Sequence, residues 1–174
     1  MPLSAEDIRK AFGALSEELA RRGDRGQMAI TGGAALVLLY NARQSTKDVD
    51  AYFFQPDPPR VREAAARVAR ELQLPEDWLN DAAKGYFVTI SEGELLYESE
   101  ALIVRAVTSE QLLGMKLAAW RDAIDRADAR LLLSTLTGSR EEIWARVAPF
   151  VPPAYIDKAS YALDDLWDLT HGTS

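Results

Sequence analysis

The stretch TGG at residues 31–33 is followed, one helix length later, by STKDVD at residues 45–50. Residues 28–30, just before the glycines, predict a short buried strand, and the apolar run at residues 34–40 predicts a buried helix. The glycine pair therefore predicts a turn between a strand and a helix. Residues 48–54 alternate in the manner of a second strand, with β-favouring side chains at several positions.

Asp48 and Asp50 are separated by one residue of this second strand, so their side chains leave the same face, about 6.5–7 Å apart along the backbone. Two carboxylates at that spacing repel each other unless water or a cation screens them. Mg²⁺ is the natural cation, because it prefers oxygen ligands and often joins one or two carboxylates to substrate phosphates. A strand face that carries both carboxylates into water is the alternative.

The glycine pair favours the metal site over the solvated strand face. Gly32 and Gly33 allow a positive φ and a close approach to the backbone, and the N-terminus of the following helix offers unpaired N–H groups. A phosphate group bound there would lie beside a metal held by Asp48 and Asp50. The combination predicts a metal-dependent phosphoryl-transfer site, whereas a glycine pair alone is more often a tight turn.

Composition limits the other kinds of chemistry. The chain has no cysteine and a single histidine, His171, near the C-terminus, so thiolate and histidine-based catalysis are disfavoured. No stretch approaches the ~20 apolar residues of a membrane span, and no basic segment precedes an apolar run at the N-terminus. We therefore expect a cytoplasmic protein. The net charge of −7 argues against a general nucleic-acid coat.

The remaining sequence predicts a mixed α/β region followed by helices. Ser4 and Asp7 form a capping-box-like helix start, and that helix ends by Gly23. Further predicted elements are an amphipathic helix at residues 60–72, a short helical or irregular segment at 78–80, a strand at 87–90, and one or two strands within 95–107. From residue 108 onward the period is helical, with Ser109 as a candidate cap and three or four helical segments.

Lys116 projects from an otherwise apolar helical stripe that continues to Ile124. Burying an unpaired ammonium group is costly, so Lys116 must reach water, pair with a carboxylate or contact a ligand anion. Arg121, Asp125 and Asp128 follow at helical spacing, and an ion-pair ladder within one helix is their simpler interpretation.

The chain resembles the nucleotidyltransferases of the DNA polymerase β-like superfamily. The resemblance rests on the glycine pair, a helix, and a Ser/Thr-x-Asp-hydrophobic-Asp strand. Within the superfamily, the plan of the chain is similar to the minimal bacterial nucleotidyltransferases, including the AbiEii-type toxins of toxin–antitoxin systems. The similarity spans about residues 28–135. Beside the glycines, the matching residues are Arg43, Thr46, Asp48, Asp50, Lys116, Ala119, Arg121, Asp125 and Asp128.

The resemblance implies an α+β fold with a mixed sheet flanked by helices. Residues 1–107 would form the nucleotidyltransferase-like core, and residues 108–174 a C-terminal helical region packed on it. A third metal-binding carboxylate is common in the superfamily, and Glu98 or Glu100 is a candidate for it. The implied site residues are Asp48 and Asp50 for Mg²⁺, Gly32, Gly33, Ser45 and Thr46 for the phosphates, and Lys116 and Asp125 for catalysis.

Three functions are compatible with these residues. The first is Mg²⁺-dependent transfer of a nucleoside monophosphate from a nucleoside triphosphate to a hydroxyl group of an RNA, a protein or a small molecule. The second is a non-catalytic binding or regulatory module of the same fold, as one half of a toxin–antitoxin pair. In either function, the protein could have a cognate toxin or antitoxin as its partner. The third, a metal-dependent nuclease, would use the carboxylates but gives no account of the glycines.

Overall fold

The computed structural model describes residues 1–172, which form two compact units. The N-terminal unit comprises residues 1–85 and 92–107, and the C-terminal unit comprises residues 86–91 and the chain from residue 108 onward. Among the helices of residues 1–172, none is long and apolar enough to cross a membrane.

A mixed sheet forms the centre of the N-terminal unit. The strands of the unit are β1 (Leu3–Ser4), β2 (Gly26–Thr31), β3 (Ser45–Thr46), β4 (Val49–Gln55), β5 (Leu79–Asn80), β6 (Leu95–Glu98) and β7 (Leu102–Ala106). Strands β1 and β3 form a separate two-stranded sheet, and the other five form the mixed sheet. The strand order is β5-β4-β2-β7-β6. The β2–β4 and β6–β7 pairs are antiparallel, while β2–β7 and β4–β5 are parallel. The predicted α+β class with a mixed sheet is confirmed.

Helices α1 (Ala5–Arg21), α2 (Gly32–Tyr40) and α3 (Pro58–Leu72) flank this sheet. The capping box predicted for α1 is present: Asp7 N–H donates to Ser4 Oγ at 3.1 Å, and Ser4 N–H donates to Asp7 Oδ2 at 2.9 Å. Helices α1 and α3 pack against each other, α1 also against β7 and α3 against β4. Their apolar stripes are buried, as the sequence period predicts.

Strand β4 shows the alternation expected of a strand with one buried face. Val49, Ala51 and Phe53 are buried, whereas Asp50 and Tyr52 between them are partly exposed. The buried positions hold the register of β4, because a slip by one residue would exchange its two faces.

Two short segments differ from their predictions. Leu79–Asn80 is a strand rather than a helical or irregular segment, and two residues are too few to show a period. Residues 87–90 are not a strand. The side chain of Gln111 binds this segment instead: its Nε2 donates to the Thr89 carbonyl at 2.8 Å, and its Oε1 accepts from Ser91 N–H at 2.8 Å. The side chain of Gln111 thus satisfies backbone groups of this segment that a neighbouring strand would bond in a sheet.

Strand β5 is anchored by the residue before it. Trp78 is fully buried, and its Nε1 donates to the Ala65 carbonyl in α3 at 3.0 Å. Its own carbonyl accepts from Val49 N–H at 2.7 Å. Trp78 therefore ties β5 to both α3 and β4, which places Asn80 beside Asp48 and Asp50.

The C-terminal unit is helical. Its α-helices are α4 (Ser109–Ala119), α5 (Ala123–Ser134), α6 (Arg140–Val147) and α7 (Ile156–His171). Helix α4 packs against the other three. The cap of α4 is Thr108, not the predicted Ser109, because the Thr108 hydroxyl accepts from Gln111 N–H at 3.3 Å. Ser109 is the first helical residue.

The single helical stripe predicted from Leu113 to Ile124 is interrupted. Trp120 adopts a left-handed conformation with φ of 37° and ends α4. Asp122 then caps α5, its Oδ1 accepting from Ile124 and Asp125 N–H groups at 3.0 and 2.9 Å. Helical spacing alone does not reveal this break, because Leu117, Trp120 and Ile124 keep the helical period across it.

We expect Trp78→Phe to lower the free energy of unfolding by roughly 2 kcal/mol or more. The substitution leaves a cavity and removes the donor from the buried Ala65 carbonyl. Chemical denaturation measures the loss. Trp144→Phe, at a half-buried residue of α6, is the matched control and should cost well under half as much. Equal losses in the two variants would contradict an anchoring role for Trp78.

Candidate functional site

The glycine turn predicted from the sequence lies between β2 and α2. Thr31 ends β2, and Gly32 begins α2 with φ of 63°, a left-handed conformation that side chains with a Cβ rarely adopt. A Cβ on Gly32 would lie 3.3 Å from Asp50 Oδ2. The backbone conformation therefore favours glycine, and a Cβ here would also press on the Asp50 carboxylate.

The second glycine is enclosed by side chains of the segment that leads into β4. A Cβ on Gly33 would lie 2.7 Å from Thr46 Oγ1 and 3.6 Å from Arg43 Nη1. The Thr46 hydroxyl donates to the Asp48 carbonyl at 3.2 Å. Ser45, the residue before Thr46, pairs with Ser4 in the small sheet. Only a glycine lets the start of α2 pack this closely against Thr46.

The acidic pair adjoins this turn through the register of β2 and β4. Asp50 pairs with Thr31, whose hydroxyl donates to the Asp50 carbonyl at 3.4 Å. Asp48 lies one residue before β4, so the strand starts one residue later than predicted. The structure thus brings the glycines, Thr46 and both aspartates together within the N-terminal unit.

The electrostatic environment of Asp48 disfavours its charged form. Burial raises the pKa of the Asp48 carboxyl above its ordinary value, and the nearby negative charge of Asp77 adds to this effect. Lys47 and a hydrogen bond from Asn80 oppose the rise without cancelling it. A cation at this position would stabilise the charged form.

Asn80 is a site residue for which the sequence indicates no role. It pairs with Asp50 across the β4–β5 ladder, and its Nδ2 donates to Asp48 Oδ2 at 3.5 Å. A recognisable strand pattern would have been the signal that places it there, but β5 is only two residues long.

The candidate third carboxylates, Glu98 and Glu100, lie at the opposite edge of the sheet from β5. Glu98 is exposed in β6, and two strands, β7 and β2, separate β6 from β4. Glu100 follows β6 and is also exposed. Within residues 1–172, no group of three or more His, Asp or Glu side chains is arranged to hold a metal ion. Among these residues, therefore, no third carboxylate joins the acidic pair in a metal-binding group.

The donor set of the pair nevertheless suits a hard divalent cation. Asp48 and Asp50 offer carboxylate oxygens, and the Asn80 amide donates to one of them. Mg²⁺ prefers oxygen ligands and commonly uses one or two carboxylates, leaving its other positions for water and phosphate. Two carboxylates next to a glycine turn at a helix N-terminus fit that pattern.

Lys116 and Asp125, the other predicted catalytic residues, belong to the C-terminal unit. Lys116 Nζ lies 3.0 Å from Asp125 Oδ1 and 2.8 Å from Asp128 Oδ2, so the contact joins α4 to α5 instead of forming a ladder within one helix. Arg121 Nε lies 3.1 Å from Asp125 Oδ2. The prediction that Lys116 contacts phosphate stays a prediction, and its ammonium group is neutralised by two carboxylates here.

Asp125 is held in its charged form although it is buried. Burial alone would raise the pKa of the Asp125 carboxyl, but hydrogen bonds from Lys116 and Arg121 outweigh it and hold the pKa below its ordinary value. Asp125 is thus a stabilising partner of Lys116 within the C-terminal unit.

A family model described as a nucleotidyltransferase of unknown function (DUF6036) matches residues 7–130. The chain belongs to this family. The DUF6036 match contains the glycine turn, the acidic pair, Asn80 and the Lys116 cluster. It supports the predicted superfamily, whereas the similarity to AbiEii-type toxins stays a prediction. Comparisons with curated proteins and with solved structures give no match.

In this DUF6036 protein, Gly32→Ala should cost more stability than Gly23→Ala. Both glycines have positive φ, 63° and 71°, so alanine at either pays a backbone cost of about 1 kcal/mol. Only at Gly32 does the new methyl group meet a carboxylate oxygen, while nothing lies within 4 Å of a Cβ on Gly23. Urea denaturation of both variants measures the difference. Equal losses would contradict the close approach of Asp50 to the turn.

Asp125→Asn should lower the free energy of unfolding of the DUF6036 protein by about 2 kcal/mol at pH 7, because the carboxylate that accepts from Lys116 and Arg121 is replaced by a neutral amide, while Lys116 keeps Asp128 at 2.8 Å. A carboxyl whose pKa is lowered in the folded state stabilises the fold above about pH 4, and this contribution is lost as pH falls through the lowered pKa. The difference between wild type and variant should therefore shrink below about pH 4.

Urea denaturation at pH 7 and at pH 3 tests this expectation. The matched control is Asp165→Asn in α7, because Asp165 is exposed and should contribute within about 0.5 kcal/mol at either pH. A difference for Asp125→Asn that stays constant between the two pH values would show that the charge of Asp125 is not what stabilises the unit.

Proposed function

We propose that this protein is a Mg²⁺-dependent nucleotidyltransferase. It moves a nucleoside monophosphate from a nucleoside triphosphate to a hydroxyl group of an RNA, a protein or a small molecule. The bond between the α-phosphorus and the oxygen bridging to the β-phosphate breaks, and a bond from the acceptor oxygen to the α-phosphorus forms. Pyrophosphate leaves, and the hydroxyl proton passes to solvent.

The observation that carries the proposal is the juxtaposition of the glycine turn and Asp50. A Cβ on Gly32 would lie 3.3 Å from Asp50 Oδ2, at the N-terminus of α2. Backbone N–H groups at a helix N-terminus bind phosphate, and a carboxylate at the same point binds the cation that phosphate carries. Membership of a family described as nucleotidyltransferases supports the same chemistry.

Each predicted site residue of the N-terminal unit has a role in this proposal. Asp48 and Asp50 hold Mg²⁺, which when bound neutralises charge on the phosphates. Gly32 and Gly33 expose the backbone to the phosphate chain. Thr46, with Ser45 before it, closes the other side of the turn, because the Thr46 hydroxyl lies against Gly33 and holds the Asp48 carbonyl. Positioning and electrostatics are sufficient for phosphoryl transfer, which needs no protein nucleophile.

A non-catalytic module of the same fold is the second candidate. The observation in its favour is that residues 1–172 hold no group of three or more metal-ligating His, Asp or Glu side chains. Such a module would bind a nucleotide or a toxin–antitoxin partner without transferring a nucleotide. Nucleotide binding without transfer is therefore the result that distinguishes it from the enzyme.

The test is incubation with Mg²⁺ and each α-labelled nucleoside triphosphate, in separate arms with RNA, with protein and with small-molecule acceptors. We expect label transfer that falls on the order of a hundredfold or more in Asp48→Asn and in Asp50→Asn. Both substitutions keep the shape of the side chain and remove its charge. Chelation of Mg²⁺ should abolish transfer in the wild type.

Asp57→Asn is the matched control for these two variants. Asp57 is an exposed aspartate just after β4, and its side chain does not cap α3. Its variant should transfer label at the wild-type rate. Transfer that survives in Asp48→Asn and Asp50→Asn, or that is absent from the wild type in every arm, would reject the enzyme.

A further inference from the structure

Asn80 occupies the position on the neighbouring strand that is closest in register to the acidic pair. Strand β5 runs parallel to β4, with Val49 opposite Leu79 and Asp50 opposite Asn80. Residues that pair across a ladder project from the same face of the sheet. Asn80 and Asp50 therefore share the partly exposed face, while Val49 and Leu79 are buried on the other.

The hydrogen bonds of Asn80 fix the orientation of its amide. Its Oδ1 accepts from Ala82 N–H at 3.0 Å, so its Nδ2 is the group that faces Asp48. Nδ2 donates to Asp48 Oδ2 at 3.5 Å, a long hydrogen bond. A donor aimed at one carboxylate oxygen restricts the rotation of that carboxylate.

The segment that carries Asn80 is held on both sides. Before it, Trp78 is buried and bonded to Ala65 and Val49. After it, Asp81 accepts a bidentate pair from Arg62, at 3.1 and 2.6 Å, and a contact from Lys84 at 3.2 Å. The position of Asn80 is therefore set by anchors other than its own contact with Asp48.

The geometry points to Asn80 as the residue that positions the Asp48 carboxylate for a divalent cation. Asn80 acts through Asp48, so it is a positioning residue and not a catalytic one. As a neutral amide it supplies a donor to Asp48 without adding a third negative charge beside Asp48 and Asp50. This inference rests on the metal site of the proposed function but not on nucleotide transfer.

The lack of a charge at residue 80 weakens metal binding but stabilises the metal-free fold. A carboxylate there would attract a divalent cation more strongly, because three negative charges would surround it. The same carboxylate would repel Asp48 and Asp50 in the metal-free protein. Asparagine therefore balances cation affinity against the stability of the metal-free fold.

The experiment measures Mn²⁺ binding by isothermal titration calorimetry in the absence of nucleotide, together with the melting temperature of the metal-free protein. Mn²⁺ stands in for Mg²⁺ because it also prefers carboxylate and water ligands. For Asn80→Leu we expect the Mn²⁺ dissociation constant to rise about tenfold, as when the partner of a metal ligand is removed. For Asn80→Asp we expect it to fall about tenfold, with a lower melting temperature without metal.

The chain offers a matched control, since Asn41 is its only other asparagine. Asn41 is exposed at the C-terminal end of α2, so Asn41→Asp adds the same charge away from the pair and should leave the Mn²⁺ dissociation constant unchanged. It is a control for affinity alone, because a negative charge at a helix C-terminus lowers stability by itself. Asn80→Asp keeps the shape of the side chain and its acceptor for Ala82 but replaces the Nδ2 donor by a charged oxygen, so it measures the effect of charge at residue 80 if Asn80→Leu does not fold. Wild-type affinity in both Asn80 variants, or no Mn²⁺ binding in any protein, would overturn the inference.

The outcome is separable from that of the transfer assay. If the Asn80 variants shift Mn²⁺ affinity as expected and no label is transferred, Asn80 positions a metal ligand in a non-catalytic module. If label is transferred but both Asn80 variants bind Mn²⁺ like the wild type, the enzyme stands and the role assigned to Asn80 fails.

Discussion

The antiparallel pairing of β2 with β4 is the contact on which the candidate site depends. Its register sets Thr31 opposite Asp50, so the glycine turn that follows β2 meets the carboxylate. The register is held from the other face of the sheet, where Val49 and Ala51 of β4 are buried. A slip by one residue would bury Asp50 and expose its apolar neighbours. The hydrophobic core therefore fixes the geometry of the polar site.

The site is also a place where the fold bears an electrostatic cost. Burial and the charge of Asp77 raise the pKa of Asp48, so a charged carboxylate is held where it is disfavoured. Such a cost is typical of functional sites, where groups are arranged for a ligand rather than for stability. A divalent cation between Asp48 and Asp50 would remove it, which is consistent with a metal-dependent function for the N-terminal unit.

The C-terminal unit resolves a similar problem without a ligand. Lys116, Asp125 and Asp128 are largely buried, with 15%, 3% and 7% of their side chains exposed, and Arg121 beside Asp125 supplies the second positive charge. Each buried carboxylate therefore contacts at least one cationic side chain, and removing either carboxylate loses a charge-assisted contact. The interruption at Trp120 makes the arrangement possible, since it lets α5 pack back against α4.

Local patterns in the sequence were sufficient to predict the long elements and the glycine turn. The capping box of α1, the apolar stripes of α1 and α3, and the alternation of β4 each depend on residues close together in the chain. The proximity of Gly32, Gly33 and Asp50 also followed, because one strand and one helix connect them. The third carboxylate could not be named from these patterns, and within residues 1–172 no group of three such side chains is arranged to hold a metal ion.

What only the tertiary structure decided are the contacts that join distant or very short segments. Asn80 meets Asp48 because Trp78 docks β5 onto β4, and a strand of two residues has no readable period. The partners of Lys116 depend on how α4 packs against α5, which helical spacing does not encode. The sequence by itself thus determined the elements, the turn and the acidic pair, since these arise from neighbouring residues. Packing decided which side chain positions Asp48 and which charges surround Lys116.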